Sequence, residues 1–237
     1  MEEYYGKSAT VYQQTKGKNF LLFPAIKRFL STGGNFLDIG CGNADLGSIA
    51  KENNFDYYGI DISEDMLNKA KQNYPEGKFF KSSSSDFSLL FNFNFDVIVL
   101  SMLFPAFSNY SDIVKTLNEC RQKLNDNGRI IIGVTHPAFD QYMQSGLLGR
   151  KNIDTEFNGY FDSGKKFLIH KKFDDATIIF EDFHWTFSDY FNAIKEANLR
   201  LIAVDECSVD ISLANDEMFA KERNKFPTYL VFLVQKL

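Results

Sequence analysis

The sequence has little of what would tie a protein to a membrane, to nucleic acid or to an oxidising compartment. Its 237 residues contain no apolar stretch close to the length of a membrane span, and Asp96-Val97-Ile98-Val99-Leu100 is far too short. The three cysteines, Cys41, Cys120 and Cys207, are odd in number, widely spaced and without a Cys-x-x-Cys pair. That usage predicts reduced thiols, with neither a disulfide framework nor a zinc or other metal site. Basic residues form no dense run, and the net charge of −5 with a pI near 5.3 sets up a field that repels a phosphate backbone. Met1-Glu2-Glu3-Tyr4-Tyr5 lacks the basic and then apolar regions of a signal peptide, so the expected location is cytoplasmic. There is no internal repeat, and the one low-complexity patch is Ser82-Ser83-Ser84-Ser85.

What is present describes a folded enzyme-sized domain. Hydrophobic residues make up 44% and charged residues 24%, which is enough apolar surface to pack a core and excludes a disordered chain. The length suits one domain over 1–237 rather than two. The 25 phenylalanines are chiefly core material, although an aromatic pocket also suits an apolar substrate or a sulfonium cation.

Along the chain, strand and helix patterns alternate. A helical region ends near Phe29-Leu30 at the break Ser31-Thr32-Gly33-Gly34. Strands are predicted at Asn35–Ile39, Asp56–Ile60, Lys78–Ser82, Phe95–Leu100 and Arg129–Val134. Helices are predicted at Ala44–Glu52, after the N-cap Ser63, and through Ile113, Val114, Leu117, Cys120 and Leu124 up to Asn125-Asp126-Asn127-Gly128. This rhythm predicts right-handed βαβ units in an α/β, doubly wound, Rossmann-like and mainly parallel sheet. Residues 138–184 depart from it. Lys166–Lys172 and Thr177–His184, separated by Asp174-Asp175, read as a β-hairpin in an insertion. A helix near Ser188–Asn198, a strand at Leu201–Asp205 and a closing strand at Thr228–Val234 complete seven sheet strands.

Phe36-Leu37-Asp38-Ile39-Gly40-Cys41-Gly42 is the richest stretch. Glycines at a strand-to-helix turn let the backbone approach a ligand, and the helix start offers free amides. Asp61, about twenty positions on at the end of the second strand, is placed to accept the hydroxyls of a ribose. Asp38 lies in an apolar strand end, where an unpaired carboxylate is costly, so it needs a dedicated partner. Ser85-Asp86-Phe87 follows the third strand on the carboxyl-terminal edge, where open α/β sheets bind ligands.

These features resemble the class I S-adenosylmethionine (SAM)-dependent methyltransferases, in particular those acting on small molecules. Asp38-Ile39-Gly40-Cys41-Gly42 is similar to that family's first motif, Asp61 to its ribose-binding acid, and Asp86 with Phe87 to the pair beside the adenine. The resemblance implies SAM as cofactor and S-adenosylhomocysteine as product. It also implies cofactor contacts from Ile62 and Met66, from Ser85, and from Leu100-Ser101-Met102 after the fourth strand. Tyr5 and Tyr12 resemble aromatics that cover the cofactor, and the closing strand resembles the family's reversed last strand. Asn43-Ala44 departs from the pattern by standing where many members have a further glycine. Ser101-Met102-Leu103-Phe104 stands where base-methylating members carry Asn-Pro-Pro-Tyr or Asp-Pro-Pro-Tyr, which argues against a nucleobase acceptor.

Methyl transfer from a sulfonium is an in-line displacement that needs positioning and, for an alcohol or amine, one base. His136, in Thr135-His136-Pro137 after the fifth strand, is the first candidate base, and His184, at the end of the insertion, is the second. His170, in the hairpin, is weaker. Glu181 and Asp182 could pair with a cationic substrate, and Tyr160, Phe161, Trp185 and Tyr190 could line a pocket or seal the insertion. The expected partner is a small-molecule acceptor of the O- or N-nucleophile class, with no nucleic acid and no membrane, on a monomer or homodimer. One alternative is a nicotinamide-dependent oxidoreductase, but its Gly-x-Gly-x-x-Gly fingerprint fails because Asp45 occupies the sixth position. The other is a non-catalytic SAM-binding or regulatory protein of the same fold, against which the intact Asp38, Gly40, Gly42 and Asp61 argue.

Overall fold

The computed structural model describes residues 18–139, 152–153, 160–173, 176–209, 220–221 and 224–237. Tyr5 and Tyr12 lie outside the described residues. The helical lead-in comprises a π-type turn at Lys18–Leu22 and α1 at Phe23–Arg28. There follow β1 (Gly34–Ile39), α2 (Gly47–Glu52), β2 (Phe55–Asp61), α3 (Glu64–Asn73), β3 (Lys78–Lys81) and β4 (Phe95–Ser101). Next come α4 (Tyr110–Lys123), β5 (Leu124–Thr135), β6 (Asn152–Ile153), β7 (Lys166–Phe173), β8 (Ala176–Phe183), α5 (Phe187–Glu196), β9 (Leu199–Glu206) and β10 (Tyr229–Lys236).

Seven strands form one sheet in the order β3-β2-β1-β4-β5-β10-β9. Strands β1 to β5 pair in parallel, while β10 runs antiparallel to both β5 and β9. This is the doubly wound sheet with a reversed last strand that the sequence predicts. Strand β4 explains the unbroken apolar run: Ile98 and Leu100 are buried in one core, and Val97 and Val99 in the core on the opposite face. Both faces are covered, so alternation with polar residues has no place there. One cluster of phenylalanines, Phe91, Phe93 and Phe95, packs edge-on or tilted around Tyr58.

Three local features differ from the sequence pattern, each for a physical reason. Helix α2 starts at Gly47 rather than Ala44, because Gly42 and Ala44 take left-handed backbone angles (φ 52° and 65°) and two turns intervene. Asn125–Gly128 ends α4 as expected but lies within β5, whose pairing to β4 slips between Phe95 with Leu124 and Val97 with Arg129. The predicted hairpin of β7 and β8 is a separate sheet that gains a third strand, β6.

The insertion returns to the main fold through a firm root. Thr186 caps α5 by accepting from the Asp189 amide, and Asp189 accepts in turn from the Thr186 amide. Trp185, buried, donates from Nε1 to the carbonyl of Phe107 at 3.1 Å, which ties this root to the segment following β4.

Candidate active site

The carboxyl-terminal ends of β1, β2, β3 and β4 converge on a cavity of about 280 Å³. Gly40, Asp61, Ile62, Ser82–Ser85, Met102, Leu103, Ala106, Phe107 and Asp112 line it. Gly40 has φ 70° and lies against Leu103, whose Cδ1 would sit only 2.9 Å from an added Cβ. A side chain here meets both strain and a clash. Gly42 differs, since an added Cβ there meets nothing within 4 Å.

Asp61 organises the floor. Its Oδ2 accepts from the amide of Gly42 at 2.9 Å, and its Oδ1 from the amide of Ser63 at 2.9 Å. One carboxylate therefore joins the turn after β1 to the start of α3, whose N-cap Ser63 accepts from the Met66 amide. Burial raises the carboxyl of Asp61 above its ordinary value, and these backbone amides pull the other way.

Asp38 has the partner its position demands. It is 3% exposed, and the hydroxyl of Tyr57 donates to its Oδ2 at 2.7 Å. That single bond does not offset desolvation, which pushes the carboxyl up to about 7, with the charges of Asp45 and Asp61 adding to the rise. Burial and the charges of Asp38 and Asp61 raise the thiol of the neighbouring Cys41 well above its ordinary value. Cys41 thus stays a protonated packing residue rather than a nucleophile.

The sequence-expected cofactor residues divide accordingly. Gly40, Asp61, Ile62, Ser85 and Met102 line the cavity. Asp38, Cys41, Gly42, Met66, Phe87, Leu100 and Ser101 are not in its wall; Phe87 and Leu100 are fully buried core residues, and Met66 is buried in the first turn of α3. Asp86 is exposed, with its carbonyl accepting from the Ser82 hydroxyl. Ser82, Ser83, Ser84, Leu103, Ala106, Phe107 and Asp112 line the cavity without having been expected there. The only hint for the first three was the serine run itself.

The two histidines sit apart from this wall. His136 is buried at the end of β5; its ring nitrogen Nδ1 accepts from the Ala138 amide at 3.2 Å, so Nε2 carries the proton and donates to Glu206 Oε1 at 3.0 Å. His184 is also buried, with Nε2 donating to the Tyr160 carbonyl at 2.7 Å. The Tyr160 hydroxyl accepts from the Phe187 amide at the start of α5. The side chain of His170 lies outside what is described.

A glycine turn, a carboxylate on it from the next strand and a reversed last strand now stand together, and residues 37–130 match the family model described as a methyltransferase domain. The fold is that of a class I SAM-dependent methyltransferase. Among solved structures, an S-adenosylmethionine-dependent methyltransferase from Clostridium acetobutylicum shares it at TM-score 0.64, with 17% identity over 98% of both chains. A methyltransferase of the same description from Mesorhizobium loti does so at TM-score 0.64, with 18% identity over 90% of this chain and 96% of that one. The PH0226 protein from Pyrococcus horikoshii matches over 100% of both chains at TM-score 0.69 and 16% identity. In sequence, the demethylmenaquinone methyltransferase of Thermotoga maritima is 29% identical over 98 residues. The chain matches 41% of that relative's length, and 40% of its own.

The Asp38 geometry carries a pH signature. A carboxyl whose folded-state pKa lies above its unfolded value binds its proton more tightly when folded. Its stabilising contribution is complete below the unfolded pKa and is lost as pH rises through the folded one, here from about 4 to about 7. The loss amounts to about 4 kcal/mol on the ordinary conversion. Asp38→Asn keeps an oxygen for Tyr57 and removes the titration. Ligand-free, the variant should gain stability relative to the native chain between pH 5 and pH 8 in urea unfolding. Parallel stability curves for the two proteins across that range would contradict the burial argument.

Proposed function

We propose that the chain transfers a methyl group from SAM to a small-molecule acceptor carrying an oxygen or nitrogen nucleophile. The observation that carries this reading is the Asp61 carboxylate, anchored by the Gly42 and Ser63 amides in the wall of the cavity. Each of its oxygens has capacity for a further donor, which suits a pair of ribose hydroxyls. The residues present fit the rest of the cofactor as well. The open side of Gly42 gives backbone approach, and Ile62, 38% exposed beside Asp61, offers an apolar face to a base. Asp38 and Asp61, held close enough to raise Asp38's carboxyl, create a site that a cationic ligand relieves.

SAM, when bound, supplies an electrophilic methyl group on sulfur. The protein's share is to hold the acceptor in line, exclude water and, for a protonated nucleophile, take up a proton. His136 is the first proton acceptor we propose and His184 the second. In His136 Nε2 holds the proton, so Nδ1 is the basic nitrogen and has first to release the Ala138 amide. Residues 138–184 are proposed as the cover of the acceptor side, rooted on the cavity wall by the Trp185 bond to Phe107.

The acidic charge balance favours a small acceptor over nucleic acid. So does the Thermotoga maritima relative, whose name carries the small acceptor demethylmenaquinone. Among the described residues no helix is long and apolar enough to cross a membrane. A cytoplasmic monomer or homodimer remains the proposed setting.

Two mutational tests separate binding from chemistry. Asp61→Ala removes an interaction of about 1.5–3 kcal/mol with a charged group, so calorimetry should record SAM affinity weaker by about tenfold to a hundredfold. Unchanged affinity in the folded variant would contradict the assignment, and tight NADH binding by a native chain that ignores SAM would favour an oxidoreductase. For the proton, His136→Gln and His184→Gln should be assayed with an identified acceptor. Loss of the true base should lower turnover by about 10²–10⁴-fold at near-native SAM affinity and melting temperature. Turnover within a few-fold of native in both variants would remove the histidines from the chemistry.

A further inference from the structure

Residues 82–91 wall the cavity through Ser82–Ser85, yet their own backbone bonds are few, and they follow a four-residue edge strand. Helix α4 supplies what they lack. Thr116, Glu119 and Lys123, spaced three and four apart, occupy one face of that helix. Buried Thr116 donates from Oγ1 to Ser84 Oγ at 3.2 Å. Glu119 Oε2 accepts from two consecutive amides, Phe87 at 2.9 Å and Ser88 at 2.7 Å. Lys123 donates from Nζ to the Phe91 carbonyl. One turn above Thr116 on the same stripe, Asp112 itself reaches the cavity wall.

The Glu119 contact has a specific local role. Ser88–Leu90 forms a short 3₁₀ turn whose N-cap position is Phe87, a residue with no side-chain oxygen to satisfy the leading amides. Glu119 provides that acceptor from 32 residues away, in a charge-assisted form. The buried ring of Phe87 is thereby held in the core while the serines just before it are presented to the cavity.

We infer that Glu119 is a positioning residue for the cofactor site, acting through the 82–91 loop with Thr116 as its second anchor. The inference rests on the SAM reading of the cavity. Preorganisation of this kind is read as affinity, since a loop that must be ordered by the ligand weakens binding.

The test uses the full chain and S-adenosylhomocysteine as the probe, with calorimetric affinity, melting temperature and amide exchange over Ser83–Ser88 as readouts. Glu119→Ala should weaken binding by about tenfold and speed exchange in the loop. Glu119→Gln, which retains an acceptor oxygen, should recover most of the affinity. Cys120→Ala, a core truncation on the adjacent residue, should lower the melting temperature while binding the probe as the native chain does. Should Glu119→Ala fail to fold, the near-isosteric Thr116→Val carries the test, with about threefold weaker binding expected at a near-native melting temperature. Native affinity in the folded Glu119→Ala variant, or in Thr116→Val where it stands in, overturns the inference and leaves Glu119 a purely structural residue. A native chain that does not bind S-adenosylhomocysteine overturns the reading of the cavity itself, and this inference with it.

Discussion

A carboxylate whose two oxygens accept from two different stretches of backbone fixes more than its own position. Asp61 stands at the end of β2 and holds Gly42, in the turn after β1, and Ser63, at the cap of α3. Both turns depend on it, because Gly42 is in a left-handed conformation and its amide finds no partner in the regular ladder. The same residue's carbonyl accepts from Ser82, which brings the serine loop to the other side of the cavity. Three strand ends are thus gathered by one aspartate, and its side chain remains in the cavity wall.

That arrangement carries an electrostatic cost. Asp38 and Asp61 both lie where burial disfavours charge, and the charge of Asp61 adds to the rise at Asp38. Tyr57 relieves Asp38 in part. Perturbed carboxyls of this kind concentrate at functional sites. The rest of the molecule is arranged to tolerate that cost: β4, buried on both faces, anchors the sheet centre, and α4 braces a loop that has few backbone bonds of its own.

Much of the fold was legible in the sequence because its signals are local. The apolar run of β4, the cap at Ser63 and the glycine turn after Ile39 each follow from neighbours in the chain. Asp38's need for a partner was also readable, although the identity of that partner as Tyr57 was not. The site was less legible where side-chain direction is set at long range. Phe87 turns into the core and Ser82–Ser84 toward the cavity because Glu119 and Thr116 hold the loop in that register. Leu103, Ala106 and Phe107 enter the wall through a 3₁₀ turn that follows the left-handed Met102 (φ 60°), a conformation unexpected for methionine. Likewise, the His136 ring is held by a bond to Glu206, 70 residues away.

The central claim is that the cavity at the ends of β1 to β4 is a SAM site organised by Asp61. A crystal structure of the chain grown with S-adenosylhomocysteine tests it most directly. The ribose hydroxyls should lie on the Asp61 carboxylate, the base between Ile62 and the serine loop, and the sulfur near Gly40 facing the insertion. Density for the ligand elsewhere, or in this cavity with the ribose turned away from Asp61, would contradict it.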